Sequence, residues 1–89
     1  MTGAKAVRVE FFFAGGCSKC VEAREALRQA ARSARAEWKE IDIAKDPNRA
    51  VDVGVVSTPA VAIDGELIFK TMPDAAELRN AIRAREARG

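Results

Sequence analysis

The sequence contains no histidine and only two cysteines, so it offers few ligands for a metal ion. A structural zinc site needs four nitrogen or sulfur ligands. The chain has no imidazole and no second pair of cysteines to complete such a set. A metal could bind tightly only at a site that is shared between two copies or completed from outside. We therefore assign no metal ligands.

Long apolar runs are absent as well. No run approaches the ~18 apolar residues of a membrane-spanning helix. The first ten residues, which include Lys5 and Arg8, form too short an apolar run for a signal peptide and carry no cleavage site. These absences favour the cytoplasm and predict no membrane partner.

Charge of one sign is not in excess. The net charge is +2, and the basic residues are dispersed among acidic ones. A surface that binds nucleic acid needs basic residues gathered on one face with aromatic residues between them. We therefore expect no nucleic-acid partner.

What the chain does have is enough apolar content for one core. Hydrophobic residues make up 48% of its 89 residues. A chain of this length buries roughly 60–65% of its unfolded surface on folding. Since no repeat, linker or low-complexity tract interrupts the sequence, we predict a single domain over residues 1–89. We also expect a monomer.

The hydrophobic pattern predicts four strands and three helices in the order βαβαββα. The predicted strands are Val7 to Phe13, Glu37 to Ile43, Ala60 to Ile63 and Glu66 to Lys70. The predicted helices run from Ser18 to Ala34, from Pro47 to the stop at Gly54, and from Asp74 towards Gly89. The first two strands should be parallel, and the last two should form an antiparallel hairpin. The fold class is therefore α/β, with a four-stranded mixed sheet and helices on both faces.

Local signals support several of these boundaries. Asp46 is a suitable N-cap before Pro47, and Gly54 is a suitable C-terminal stop. Asp64–Gly65 is typical of a tight hairpin turn. Asp74 followed by Glu77 forms a capping box. In the first helix one stripe is apolar, and it comprises Cys20, Ala23, Leu27, Ala30 and Ala34.

The two cysteines lie in the segment Cys17–Ser18–Lys19–Cys20, just after a Gly-Gly pair at the end of the first strand. Two inert buried thiols or an incidental local disulfide are the alternatives to a chemical role. A disulfide across so short a loop removes little chain entropy and would stabilise the fold poorly. The spacing and position favour redox chemistry.

This pattern resembles the thioredoxin/glutaredoxin superfamily from Val7 to about Arg85, and it is closest to small glutaredoxin-sized thioredoxin-like proteins. Its second element is Ser57–Thr58–Pro59 directly before a strand. The resemblance implies a thioredoxin-like fold and a thiol–disulfide oxidoreductase with no cofactor besides a redox-active Cys17–Cys20 disulfide. It also implies a cis peptide bond between Thr58 and Pro59 that faces the cysteines, with the Thr58 backbone binding an extended substrate segment.

The attacking species in such exchange must be a thiolate, and an unperturbed cysteine titrates near pKa ~8.5. A helix that begins at about Ser18 places Cys17 beside unpaired N–H groups and the positive end of the helix dipole. We therefore predict that Cys17 is the nucleophile and that Cys20, one turn inside, is the resolving thiol. Lys19 would add a positive charge nearby, unless it is an ordinary exposed lysine.

The sequence pattern indicates a proton acceptor for Cys20 less clearly. At the place where thioredoxins carry a buried aspartate, this chain has Phe11, and Glu10 lies one residue out of register. We keep Glu10 as a candidate acceptor, with the alternative that it faces the other side of the strand.

The resemblance implies protein disulfides as substrates and a thioredoxin-type reductase as the electron donor. Glutaredoxins that use glutathione carry a Gly-Gly and acidic residues after the last strand. Here that region reads Thr71–Met72–Pro73–Asp74, so glutathione is not expected to bind. Two alternatives remain open: a soft-metal chaperone of the copper type, whose family has a βαββαβ order, and a redox-sensing adaptor module.

Overall fold

The computed structural model describes residues 6–15 and 18–87, with the backbone only at 18 and 19. Within these residues the elements follow the predicted order. They are β1 (Arg8–Phe13), α1 (Ser18–Ser33), β2 (Glu37–Asp42), α2 (Pro47–Val53), β3 (Ala60–Ile63), β4 (Glu66–Phe69) and α3 (Ala75–Ala87). Apart from the end of α3, where the described residues stop, each boundary lies within about a residue of its prediction, which is within the ordinary spread of helix and strand assignments.

The four strands form one mixed sheet in the order β2-β1-β3-β4. β1 pairs with β2 in parallel, while β3 runs antiparallel to both β1 and β4. Phe12 is level with Ile41 on one side and with Ala60 on the other. The predicted mixed sheet is confirmed, and β1, one of its two inner strands, precedes the cysteine segment in the sequence.

Successive residues of β1 enter two separate cores. Phe11 belongs to the larger core, which α1 and α3 cover with buried residues such as Leu27 and Leu78. Phe12 belongs to the smaller core, to which α2 contributes Ala50. Because neighbouring side chains of a strand point to opposite faces, the helices lie on both sides of the sheet, as predicted.

The apolar stripe of α1 lies against the larger core. Cys20, Leu27 and Ala30 are buried there, and Ala23 and Ala34 are partly buried. Ala31, which the predicted stripe omits, has no exposed surface either. The buried face of the helix is therefore one residue wider than the sequence pattern indicates.

The predicted caps are all formed. Asp46 accepts a hydrogen bond from the backbone N–H of Arg49 at 3.2 Å. In the capping box, Asp74 Oδ1 accepts from the Glu77 N–H at 2.8 Å and Glu77 Oε1 accepts from the Asp74 N–H at 3.0 Å. Asp64 and Gly65 have φ values of 52° and 82°, as a type I′ turn requires.

Gly54, which closes α2, has a left-handed φ of 91°. We expect Gly54→Ala to lower the free energy of unfolding by about 1–2 kcal/mol, since a Cβ disfavours this conformation. Gly15→Ala is the matched control, because an added Cβ meets nothing within 4 Å at either position and Gly15 has no positive φ. Urea unfolding checks the difference, and equal losses in both variants would contradict the assignment of strain to φ.

None of the helices in residues 6–15 and 18–87 is long and apolar enough to cross a membrane.

Candidate active site

Cys20 lies in the first turn of α1, which begins at Ser18. Its side chain is 3% exposed and belongs to the larger core together with Phe11. The Cys20 sulfur is disulfide-bonded in this structure. Cys17, the other cysteine of the chain, and the Lys19 side chain lie outside the described residues, so the roles predicted for them stay predictions.

The Thr58–Pro59 peptide bond is cis, which confirms the prediction for this bond. Both residues are half-buried and come directly before β3. Continuing the pairing of Phe12 with Ala60 brings Pro59 and Thr58 level with the residues that leave β1. Thr58 and Pro59 therefore lie at the end of the sheet where β1 finishes, and in the sequence the cysteine segment follows shortly after β1.

Two exposed apolar side chains adjoin these segments in the sequence. Val21 follows Cys20 and is 65% exposed, and Val56 comes two residues before Thr58 and is 90% exposed. Met72, in contrast, packs against the larger core. Both valines are thus open to solvent next to the segments of the candidate site.

Glu10 does not meet Cys20. The carboxylate of Glu10 lies on the α2 side of the sheet, where Arg49 donates to it through Nε at 2.7 Å and Nη2 at 2.5 Å. Cys20 belongs to the core on the other side. The candidate role of Glu10 as proton acceptor for Cys20 is therefore corrected: a shift of one residue along a strand turns the side chain to the opposite face.

The Glu10–Arg49 pair is the feature that the sequence pattern did not reveal. Glu10 is the buried charged residue of the described part of the chain, at 7% exposure. Its hydrogen bonds raise the pKa of the Arg49 guanidinium, while partial burial acts in the opposite direction. A buried carboxylate calls for a cationic partner. The sequence therefore indicated that a buried Glu10 would need a cationic partner. It did not indicate which one, because several basic residues could have filled that place.

Comparison with known proteins gives one consistent result. Residues 6–83 match the family model described as a thioredoxin domain. The chain is 33% identical over 78 residues to a protein named "Probable Thioredoxin" from Methanothermobacter marburgensis, covering 85% of this chain and 92% of that protein. It is 26% identical over 81 residues to a thioredoxin from Methanocaldococcus jannaschii, covering 89% and 95%.

Among solved structures, a mutant thioredoxin from Halobacterium salinarum superposes with a TM-score of 0.78 at 23% identity. That superposition covers 88% of this chain and 73% of the other. At this identity the structural similarity shows that the two proteins share a fold.

Proposed function

The chain belongs to the thioredoxin family of thiol–disulfide redox proteins, and we propose that it reduces protein disulfides through the Cys17–Ser18–Lys19–Cys20 dithiol. The observation that carries this proposal is the position of Cys20. It lies in the first turn of α1, the helix that follows β1, and the pairing of β3 with β1 puts Thr58 and Pro59 beside the end of β1. This arrangement supports a dithiol close to a backbone segment that is able to bind a substrate.

In the proposed reaction the Cys17 thiolate attacks one sulfur of the substrate disulfide. The substrate S–S bond breaks, the second substrate sulfur leaves as a thiolate, and a mixed disulfide forms on Cys17. The Cys20 thiolate then attacks the Cys17 sulfur and releases the first substrate sulfur. Two electrons have passed to the substrate, and the protein is left with a Cys17–Cys20 disulfide.

The start of α1 favours Cys17 as the attacking thiol. Cys17 directly precedes the first helical residue, Ser18, and the unpaired N–H groups of a helix start stabilise an anion. Lys19 adds positive charge next to it in the sequence. Cys20 is buried among apolar side chains, which suits a thiol that acts only after the substrate is attached.

The Thr58 backbone is proposed to bind the substrate chain. Thr58 directly precedes Pro59, which lacks an N–H group, and β3 begins one residue later. An extended substrate segment pairing with this backbone would gain main-chain hydrogen bonds that do not depend on its sequence.

The order of the described elements, with α3 last, differs from the βαββαβ order of copper-type chaperones. The fold thus favours the disulfide reductase over that alternative. A reducing compartment such as the cytoplasm suits the proposed reaction, because the pair must be returned to the dithiol after each turnover.

We expect a thioredoxin-type reductase to reduce the oxidised protein much faster than glutathione does. Asp74, the acidic residue after the last strand, is engaged in the capping box of α3, and no Gly-Gly precedes it. Insulin reduction should therefore proceed with NADPH and such a reductase and be slow in a coupled glutathione assay.

A glutaredoxin measured in parallel serves as the control for the glutathione arm. Efficient turnover with glutathione would overturn the choice of reductant but leave the dithiol chemistry intact. Insulin reduction no faster than the uncatalysed background with every reductant, including a chemical dithiol, would overturn the proposed function itself.

A further inference from the structure

We propose that Glu10 and Arg49 are positioning residues for substrate binding: their ion pair fixes α2 and, through it, the segment 54–57 that leads to Thr58. The inference rests on the proposed function and concerns the binding of protein substrates rather than the thiol chemistry.

The pair joins two elements that are far apart in the sequence. Glu10 lies in the inner strand β1, and Arg49 lies 39 residues later in α2. Two nitrogen atoms of the guanidinium donate to the two oxygen atoms of the carboxylate. Such two-point contacts fix orientation as well as distance.

Few other contacts hold α2 to the sheet. The helix has seven residues, and Ala50 is the buried residue among them. Val51 is 77% exposed, while Val53 is only partly buried against the smaller core. A helix this short and this lightly buried has little packing to define its position. The part-buried Glu10–Arg49 contact therefore determines much of the position of α2.

The position of α2 determines the position of the segment that follows it, residues 54–57. The carbonyl of Ala50, next to Arg49, accepts hydrogen bonds from Gly54 N–H at 3.0 Å and from Val55 N–H at 2.8 Å. Val56 and Ser57 then extend to Thr58 and are both exposed. β3, in contrast, is held by its own pairing with β1.

Val55 packs against the smaller core together with Val53 of α2, so movement of α2 would displace residues 54–57 with it without moving β3. Cys20 lies in the core on the other face of the sheet. Loss of the ion pair should weaken the binding of a protein substrate and leave the intrinsic reactivity of the dithiol unchanged.

The experiment compares Glu10→Gln and Arg49→Met with the unaltered protein on two substrates, insulin and a small aromatic disulfide. We expect KM for insulin to rise roughly tenfold, because ordering residues 54–57 on binding would then cost about 1.4 kcal/mol of the binding free energy. The kcat for insulin and the rate with the small disulfide should stay within about twofold of their original values.

Three further variants sharpen the test. Arg49→Lys keeps the charge but loses the two-point geometry. Its KM should therefore lie between that of the unaltered protein and that of Arg49→Met. The double variant E10Q/R49M should be no worse than either single one, because both remove the same contact. Glu25→Gln is the matched control, since it breaks the exposed ion pair with Arg28 within α1 and should leave KM unchanged.

Several results would overturn the inference. The first is an unchanged KM for insulin. The second is an equal fall in the rates with the small disulfide and with insulin. The third is the same rise in KM from Glu25→Gln. Variants that fail to fold would show that the pair serves the fold itself, which also overturns a positioning role.

Amide hydrogen exchange separates this inference from the proposed function. Exchange in residues 54–57 should accelerate in Glu10→Gln, whereas exchange in β3 should not. This exchange rate can be measured even if the unaltered protein proves inactive towards insulin. Such inactivity would contradict the proposed function but not the positioning role. Unchanged exchange in residues 54–57 would contradict the positioning role.

Discussion

Cys17→Ser is expected to abolish disulfide exchange, with the rate of insulin reduction falling by several orders of magnitude to the uncatalysed background. The substitution removes the sulfur that attacks the substrate. The remaining thiol, Cys20, is 3% exposed within the larger core and cannot easily reach a protein disulfide. The insulin assay with a thioredoxin-type reductase measures the loss.

Cys20→Ser, compared with Cys17→Ser, shows which cysteine is the nucleophile and which is the resolving thiol. This variant keeps the attacking thiol but lacks the resolving one, so it should accumulate a mixed disulfide with the substrate. Mass spectrometry under non-reducing conditions detects the covalent adduct. If Cys17→Ser formed adducts and Cys20→Ser were inert, the nucleophile and the resolving thiol would have to be exchanged.

Leu27→Ala should lower the free energy of unfolding by about 3 kcal/mol, because it leaves a cavity where α1 meets the larger core. Leu27 is 1% exposed and belongs to the same core as Cys20 and Leu78. A domain of this size is stable by only about 5–15 kcal/mol in total. Tm should therefore fall by something on the order of 15 °C, as thermal unfolding followed by circular dichroism would show.

Val21→Ala is the control on the same helix. Val21 is 65% exposed, so truncating it should change the free energy of unfolding by no more than about 0.5 kcal/mol. Similar losses in the two variants would contradict the role of burial, because alanine is the better helix former at both positions and propensity cannot account for a loss.

Local signals in the sequence determined the order of the elements and most of their ends. Asp46–Pro47 and Gly54 bound α2 as predicted, and Asp74 with Glu77 begins α3. Each of these signals acts over a few residues, through one side chain and the nearest backbone groups, so it can be recognised without the rest of the fold. The cis bond before Pro59 was predicted from the family resemblance, since local sequence alone gives low odds for it.

Only the tertiary structure decided what the charged residues do. Glu10 was a candidate partner of Cys20, yet it pairs with Arg49 on the opposite face of the sheet. Likewise, Asp64 Oδ1 accepts a hydrogen bond from the N–H of Arg8, 56 residues away, and joins the hairpin turn to the start of β1. Such pairings depend on strand register and on where a short helix settles against the sheet. A charged side chain has several possible partners in the sequence, and the packing of the whole chain determines which one it meets.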